Sequence, residues 1–167
     1  MRLFSNFILL ATFALILISE KSMSQTSDKE NWVGLQFTDV QEIPYFKDII
    51  GNSSRLLPNR SYAISDHVKK DNHFVFLERL LTTGPKRFKI LQVLNVGSLK
   101  SDEIMDISGG CKLNGKDDAY IIAIVKMDSD KEIFKNIRKA WKVSLKDHRF
   151  IPISPKNISC INEGYGL

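Results

Sequence analysis

Contiguous catalytic signatures are absent from this chain. It has no His-Glu-x-x-His pair, no Gly-x-Ser-x-Gly elbow and no glycine-rich phosphate loop, so the local marks of zinc peptidases, α/β-hydrolases and nucleotide-binding enzymes are missing. The three histidines, His67, His73 and His148, show no metal-ligand spacing to one another or to the cysteines. Neither a metal nor a cofactor is therefore called for. Charge of one sign is also scarce. The formal net charge is only +5 over 167 residues, with no arginine-rich strip and no aromatic and glycine spacing of a nucleic-acid-binding sheet. Ordinary solvated charge accounts for this balance, although it would also suit an acidic partner or an anionic envelope surface. Internal repeats and low-complexity tracts are missing too.

Long apolar runs are scarce, and the longest lies at the amino terminus. Met1-Arg2 is followed by Leu3 to Ile18, broken only by Ser5, Asn6 and Thr12. That run is shorter than the roughly 20 residues that span a bilayer. Ser22-Met23-Ser24 then sets small residues where a signal peptidase needs them. The expectation is a signal peptide over 1–24, cleaved after Ser24, and a single globular domain over 25–167 with no stable membrane insertion.

What the chain does have is β-type patterning. Val33, Leu35 and Phe37 alternate as on a strand. Residues 44–61 carry Pro44, Gly51, Asn52, Ser53, Ser54, Pro58 and Asn59, which predicts a long loop with one helical turn. His73 to Leu81 is aromatic and branched, and Thr82-Thr83-Gly84-Pro85 ends it. This favours a strand, while Phe74, Leu77, Leu80 and Leu81 leave a helix as the competing reading. Arg87 to Val96 supplies a hairpin partner that becomes apolar on both faces, as in a sheet interior.

Ser101 to Met105 has the cap and acidic first turn of a short helix. Asn114-Gly115-Lys116 signals a tight turn, and Ala119 to Lys126 is the best candidate for a central strand. Lys131 to Lys139 places Ile133, Phe134 and Ile137 at helical spacing behind Asp130. A hairpin follows, with Trp141, Val143 and Leu145 on one face and a return through Phe150, Ile151 and Ile153. The last strand spans 157–161. The predicted fold is mainly β (α+β), an antiparallel sheet or small sandwich with one or two short helices and one disulfide.

The cysteines, Cys111 and Cys160, are the only two in the sequence. An even count in a chain sent to an oxidising compartment favours their pairing. The sharper alternative makes Cys111 a nucleophile, with Gly109 and Gly110 giving access and a histidine as base. Asp128, Asp130 and Glu132 open like a calcium loop, but Ile133 and Lys139 occupy the places that need glycine and glutamate. Asp117-Asp118 is a weak candidate for paired carboxylates. Asn52-Ser53-Ser54, Asn59-Arg60-Ser61 and Asn157-Ile158-Ser159 would be glycosylation acceptors in a eukaryotic host.

From residue 88 to 164, the apolar strand, Gly110-Cys111-Lys112-Leu113-Asn114-Gly115-Lys116-Asp117, Ile121 to Lys126, Lys139-Ala140-Trp141, Phe150 to Ile153 and Cys160-Ile161-Asn162-Glu163-Gly164 together resemble small signal-peptide-bearing bacterial proteins with two cysteines. The resemblance implies a periplasmic or secreted address and transfers no catalytic residue.

The functional expectation is a non-enzymatic periplasmic or secreted binding protein with a protein partner and no nucleic acid. Its specific form is an inhibitor or immunity protein that neutralises an envelope-acting toxin or hydrolase. Contact residues are sought in two polar loop stretches: Asn52, Arg55, Asn59 and Arg60 in one, and Lys112, Asn114, Lys116 and Asp117 in the other. The alternative is a small envelope hydrolase with a non-contiguous histidine–carboxylate site drawn from His67, His73, His148 and the acidic loops.

Overall fold

The computed structural model describes residues 32–166. The expected signal peptide and the polar stretch that follows it lie outside the described residues. Within them the chain forms three antiparallel sheets and two 3-10 turns, Val40–Glu42 and Pro44–Phe46.

The first sheet is ordered β1-β5-β4-β3-β2, from β1 (Gln36–Phe37), β2 (Gly51–Leu56), β3 (Tyr62–Lys69), β4 (Asn72–Leu80) and β5 (Phe88–Ser98). The second is ordered β12-β11-β9-β6, from β6 (Glu103–Asp106), β9 (Ile121–Lys126), β11 (Ile137–Ser144) and β12 (Arg149–Ile153). The third, of short strands, is ordered β10-β13-β7-β8, from β7 (Cys111–Leu113), β8 (Lys116–Asp117), β10 (Ile133–Phe134) and β13 (Ile158–Ile161).

Period-two side chains explain how these sheets stack. Ile122 and Ile124 of β9 join Ile64, Val75 and Leu77 of the first sheet in one core cluster. Ile121, Ala123 and Val125 of the same strand join Cys111, Ile158 and Cys160 of the third sheet in another. The second sheet is therefore the middle layer, and the expected central strand is buried on both faces. β4 repeats the arrangement. Val75 and Leu77 face inward, while Phe74 and Phe76 face a third cluster built with Phe37, Val40, Ile43 and Phe46 of the amino-terminal segment. Trp32 closes that cluster, its ring centroid 4.7 Å from Phe46 and 4.8 Å from Tyr45.

Cys111 and Cys160 are disulfide-bonded across directly paired strands, with Cys160 opposite Cys111 in the β13–β7 register. No free cysteine remains among the described residues, so the nucleophile reading of Cys111 falls. Gly109 and Gly110 have packing roles instead. Gly109 adopts φ +91° beneath the Arg55 guanidinium, and a Cβ on Gly110 would stand 3.2 Å from Ile161 Cβ. Asn114 and Gly115 both have positive φ, +52° and +77°, as a two-residue hairpin turn requires.

Four local expectations are corrected. The short helix at 101–105 is a turn leading into β6, because Ile104 and Met105 split between the two cores that flank the middle sheet. The helix at 131–139 is instead β10 and the start of β11, since extended backbone buries Phe134 and Ile137 against the disulfide. The loop read over 44–61 contains the expected single turns, but Gly51–Leu56 is strand β2 at a sheet edge, where one exposed face needs no apolar alternation. At the start, the regular ladder covers Gln36–Phe37, while Gly34 N and Leu35 O are bonded to Ile90 beside the turn that Gly34 makes at φ +92°.

Candidate functional site

β2 is paired on one side only. Its register with β3 runs unbroken from Gly51 opposite Val68 to Leu56 opposite Ala63. Leu57 N donates to Tyr62 O at 2.9 Å, and alternation along an antiparallel ladder then turns the amides of Ser53 and Arg55 toward β3. Those of Asn52, Ser54 and Leu56 face the free edge. Ile50 and Leu56 at its two ends are 70% and 52% exposed.

Grooves flank this strand on both faces. The outer one, of about 350 Å³, runs between the Phe37–Val40 segment and the Asn52, Ser54 and Leu56 side of β2, and Phe88 is also in its lining. On its floor lie Ser65 and His67 of β3 and Glu78 of β4, which are 2%, 4% and 3% exposed. Their spacing puts all three on one face. Ser65 is opposite Phe76, and Ala63, two residues away, is opposite Glu78. A register shift between Leu77 and Glu78 marks a bulge in the β4–β5 ladder at this point.

The direction of the hydrogen bonds on this floor is determined by chemistry. Ser65 Oγ donates to Glu78 Oε1, a carboxylate oxygen with lone pairs to accept it. His67 Nε2, 2.8 Å from Ser65 Oγ and 3.9 Å from Glu78 Oε1, must then donate to the serine oxygen. In the neutral ring Nδ1 is left as an acceptor, and it is buried without a hydrogen-bond partner among the described residues. The ring lies beside Phe76, with centroids 4.7 Å apart, and Phe46, at 6.0 Å.

This order differs from an acyl-transfer relay, where the carboxylate holds the far nitrogen and the near one takes the serine proton. Here that proton is committed to Glu78.

The inner groove, of about 440 Å³, lies between Ser53–Arg55, Ile104–Ser108, Phe134 and Ile161–Gly164. Arg55 reaches inward, its Nε donating to Ile107 O and its Nη2 to Ala119 O. Burial pulls its pKa below the ordinary value, while Asp106 and Tyr120 pull it back up. Asp106 accepts from both Ser108 N and Ser108 Oγ at 2.8 Å. It lies close to Cys111 and Cys160, but both sulfurs are consumed by the disulfide and leave no metal site there.

The other two histidines are also engaged. His73 Nδ1 is 2.8 Å from Asp66 Oδ2, at a third groove shared with Asp71, Lys100 and Glu103. His148 Nε2 is 3.3 Å from Tyr62 Oη.

The expected contact residues thus divide. Asn52 and Arg55 lie on β2, with Asn59 and Arg60 in the exposed turn after it. Lys112, Asn114, Lys116 and Asp117 lie on the β7–β8 hairpin of the third sheet and line neither groove beside β2. Lys112 Nζ is instead paired with Asp117 Oδ1 at 3.3 Å.

Ser65 and Glu78 were not among the residues singled out from sequence. Their signals were a polar Ser-x-His pair at strand spacing and one carboxylate inside an apolar run. The chain matches no protein-family model, no curated protein and no solved structure. Among the described residues no helix is long and apolar enough to cross a membrane.

Proposed function

We propose that the chain is a non-enzymatic extracytoplasmic binding protein that takes an extended segment of a protein partner along the free edge of β2. Its specific form is an inhibitor or immunity protein that neutralises an envelope-acting toxin or hydrolase. The observation that carries the reading is the unprotected edge. Sheet edges are usually blunted by lysine, proline, bulges or a covering element, whereas Gly51–Leu56 carries no proline, no lysine and no break in register. Its single charge, Arg55, is turned inward. Such an edge suits strand addition, in which main-chain hydrogen bonds give affinity and flanking pockets give specificity. The disulfide supports an oxidising compartment.

The hydrolase alternative has its best candidate in Ser65, His67 and Glu78, and the direction of their hydrogen bonds weighs against it. Capture experiments separate the two. Immobilised protein is expected to retain a specific partner from envelope fractions of its host or of competing strains. Ser54→Pro, which removes an edge-facing amide while sparing the β3 ladder, is expected to abolish capture with near-UV circular dichroism unchanged. No specific partner from any fraction would end the binding reading, and covalent labelling of Ser65 by a fluorophosphonate would reverse it in favour of the enzyme.

A further inference from the structure

We infer that the outer groove beside β2 is a receptor for one basic side chain, an ammonium or guanidinium group borne on an aliphatic stem. The inference rests on the strand-edge reading for where that side chain comes from, namely the segment laid on β2, but the groove's chemistry stands by itself. Its floor holds a carboxylate. Glu78 carries a carboxylate that is 3% exposed, and among the described residues its only ion-pair neighbour is His67, at 3.9 Å. A buried carboxylate with so little compensation is costly to desolvate, and an arriving cation relieves that cost. His67 lies on the same floor, with Nε2 against Ser65 Oγ and Nδ1 buried without a hydrogen-bond partner among the described residues.

Positive charge is not already supplied from the rim. Arg55 lines the groove only by its strand position, its guanidinium being bonded to Ile107 O and Ala119 O on the other side. Asp39 adds a further carboxylate at the mouth, with Oδ1 accepting from Gln41 N at 2.9 Å. Apolar lining is contributed by Phe37, Val40 and Leu56. Apolar sides above an acidic floor match a long side chain whose methylenes pack while its charged head is paired. An acidic or purely apolar group would meet repulsion or leave Glu78 unpaired.

The test titrates the intact disulfide-bonded protein with Nα-acetyl-lysine methylamide, Nα-acetyl-arginine methylamide and, as control, Nα-acetyl-glutamate methylamide, following the His67 ring signals by NMR. A basic amide is expected to shift those signals with a dissociation constant on the order of millimolar, as suits a ligand of this size. The glutamate amide is expected to shift nothing. Glu78→Gln should weaken binding about tenfold or more. Leu56→Arg, on the exposed rim, should weaken it by placing a tethered guanidinium in competition, without touching the buried trio. Absence of a shift with either basic amide, or an equal shift with the glutamate control, would overturn the inference. Because Ser54 itself lines the groove, partner capture and amide binding are both read on the unsubstituted protein. Amide binding without partner capture then removes only the strand-edge reading, and capture without amide binding removes only the groove.

Discussion

Arg55 illustrates what a single side chain contributes here. It leaves an exposed edge strand, crosses to the neighbouring layers and donates to two backbone carbonyls, Ile107 O and Ala119 O, over a glycine whose Cβ would stand 3.1 Å from its Cζ. Removing it leaves two carbonyls without donors and a void over Gly109. Arg55→Ala is therefore expected to cost about 2–4 kcal/mol in denaturant unfolding. Arg55→Lys should restore little, because one ammonium cannot reproduce the planar fork that serves both acceptors. An unchanged midpoint in Arg55→Ala would show that these bonds contribute nothing net. In the sequence this arginine looks like a contact residue within a polar run. Only the register, which puts Arg55 opposite Ile64 on the inward face, reveals its other role.

Elements with a regular apolar pattern, on one face or on both, were readable, and those carrying polar residues that are paired only in the fold were not. β9, Ile121–Lys126, has no polar residue before its last position, and the hairpin of β11 and β12 alternates cleanly through Trp141 and Val143. Those patterns specify strands without tertiary information. β2 and β3 do not. Gly51–Leu56 reads as a loop because an edge strand can be polar throughout, and Ser65, Asp66 and His67 interrupt β3 with groups that become acceptable only once paired across the sheet. Ile133, Phe134 and Ile137 fit helical spacing, yet the disulfide draws Phe134 and Ile137 into an extended segment. Burial on both faces also carries an energetic expectation. Ile122→Ala, in the cluster between the first two sheets, should cost about 2–5 kcal/mol by denaturant unfolding. A loss below about 1 kcal/mol would mean that the site collapses around the deletion and that β9 is not the rigid centre of the stack.

At the level of the whole molecule the three sheets are unequally supported. The first sheet has strands of six to eleven residues in four of its five places, and its packing is shared with both the amino-terminal segment and the middle sheet. The third sheet has strands of only two to four residues, and its contribution to the core is organised around Cys111 and Cys160. The disulfide joins residues 49 apart in sequence, and a closed loop of that length restricts the unfolded chain by about 4 kcal/mol in the loop-entropy model. Stability should therefore fall by roughly that amount on reduction or in Cys111→Ala/Cys160→Ala. The loss should also be uneven in space, because short strands have little else to hold them and local opening follows the least supported contacts. Hydrogen exchange of the reduced protein is expected to accelerate first at amides of β7, β10 and β13, while β4 and β5 keep their protection. The edge of β2 belongs to the better supported sheet, so partner capture should survive reduction under conditions where the third sheet has already loosened. Uniform acceleration across all three sheets would show instead that the stack opens as one cooperative unit, and capture would then be lost in step with the disulfide.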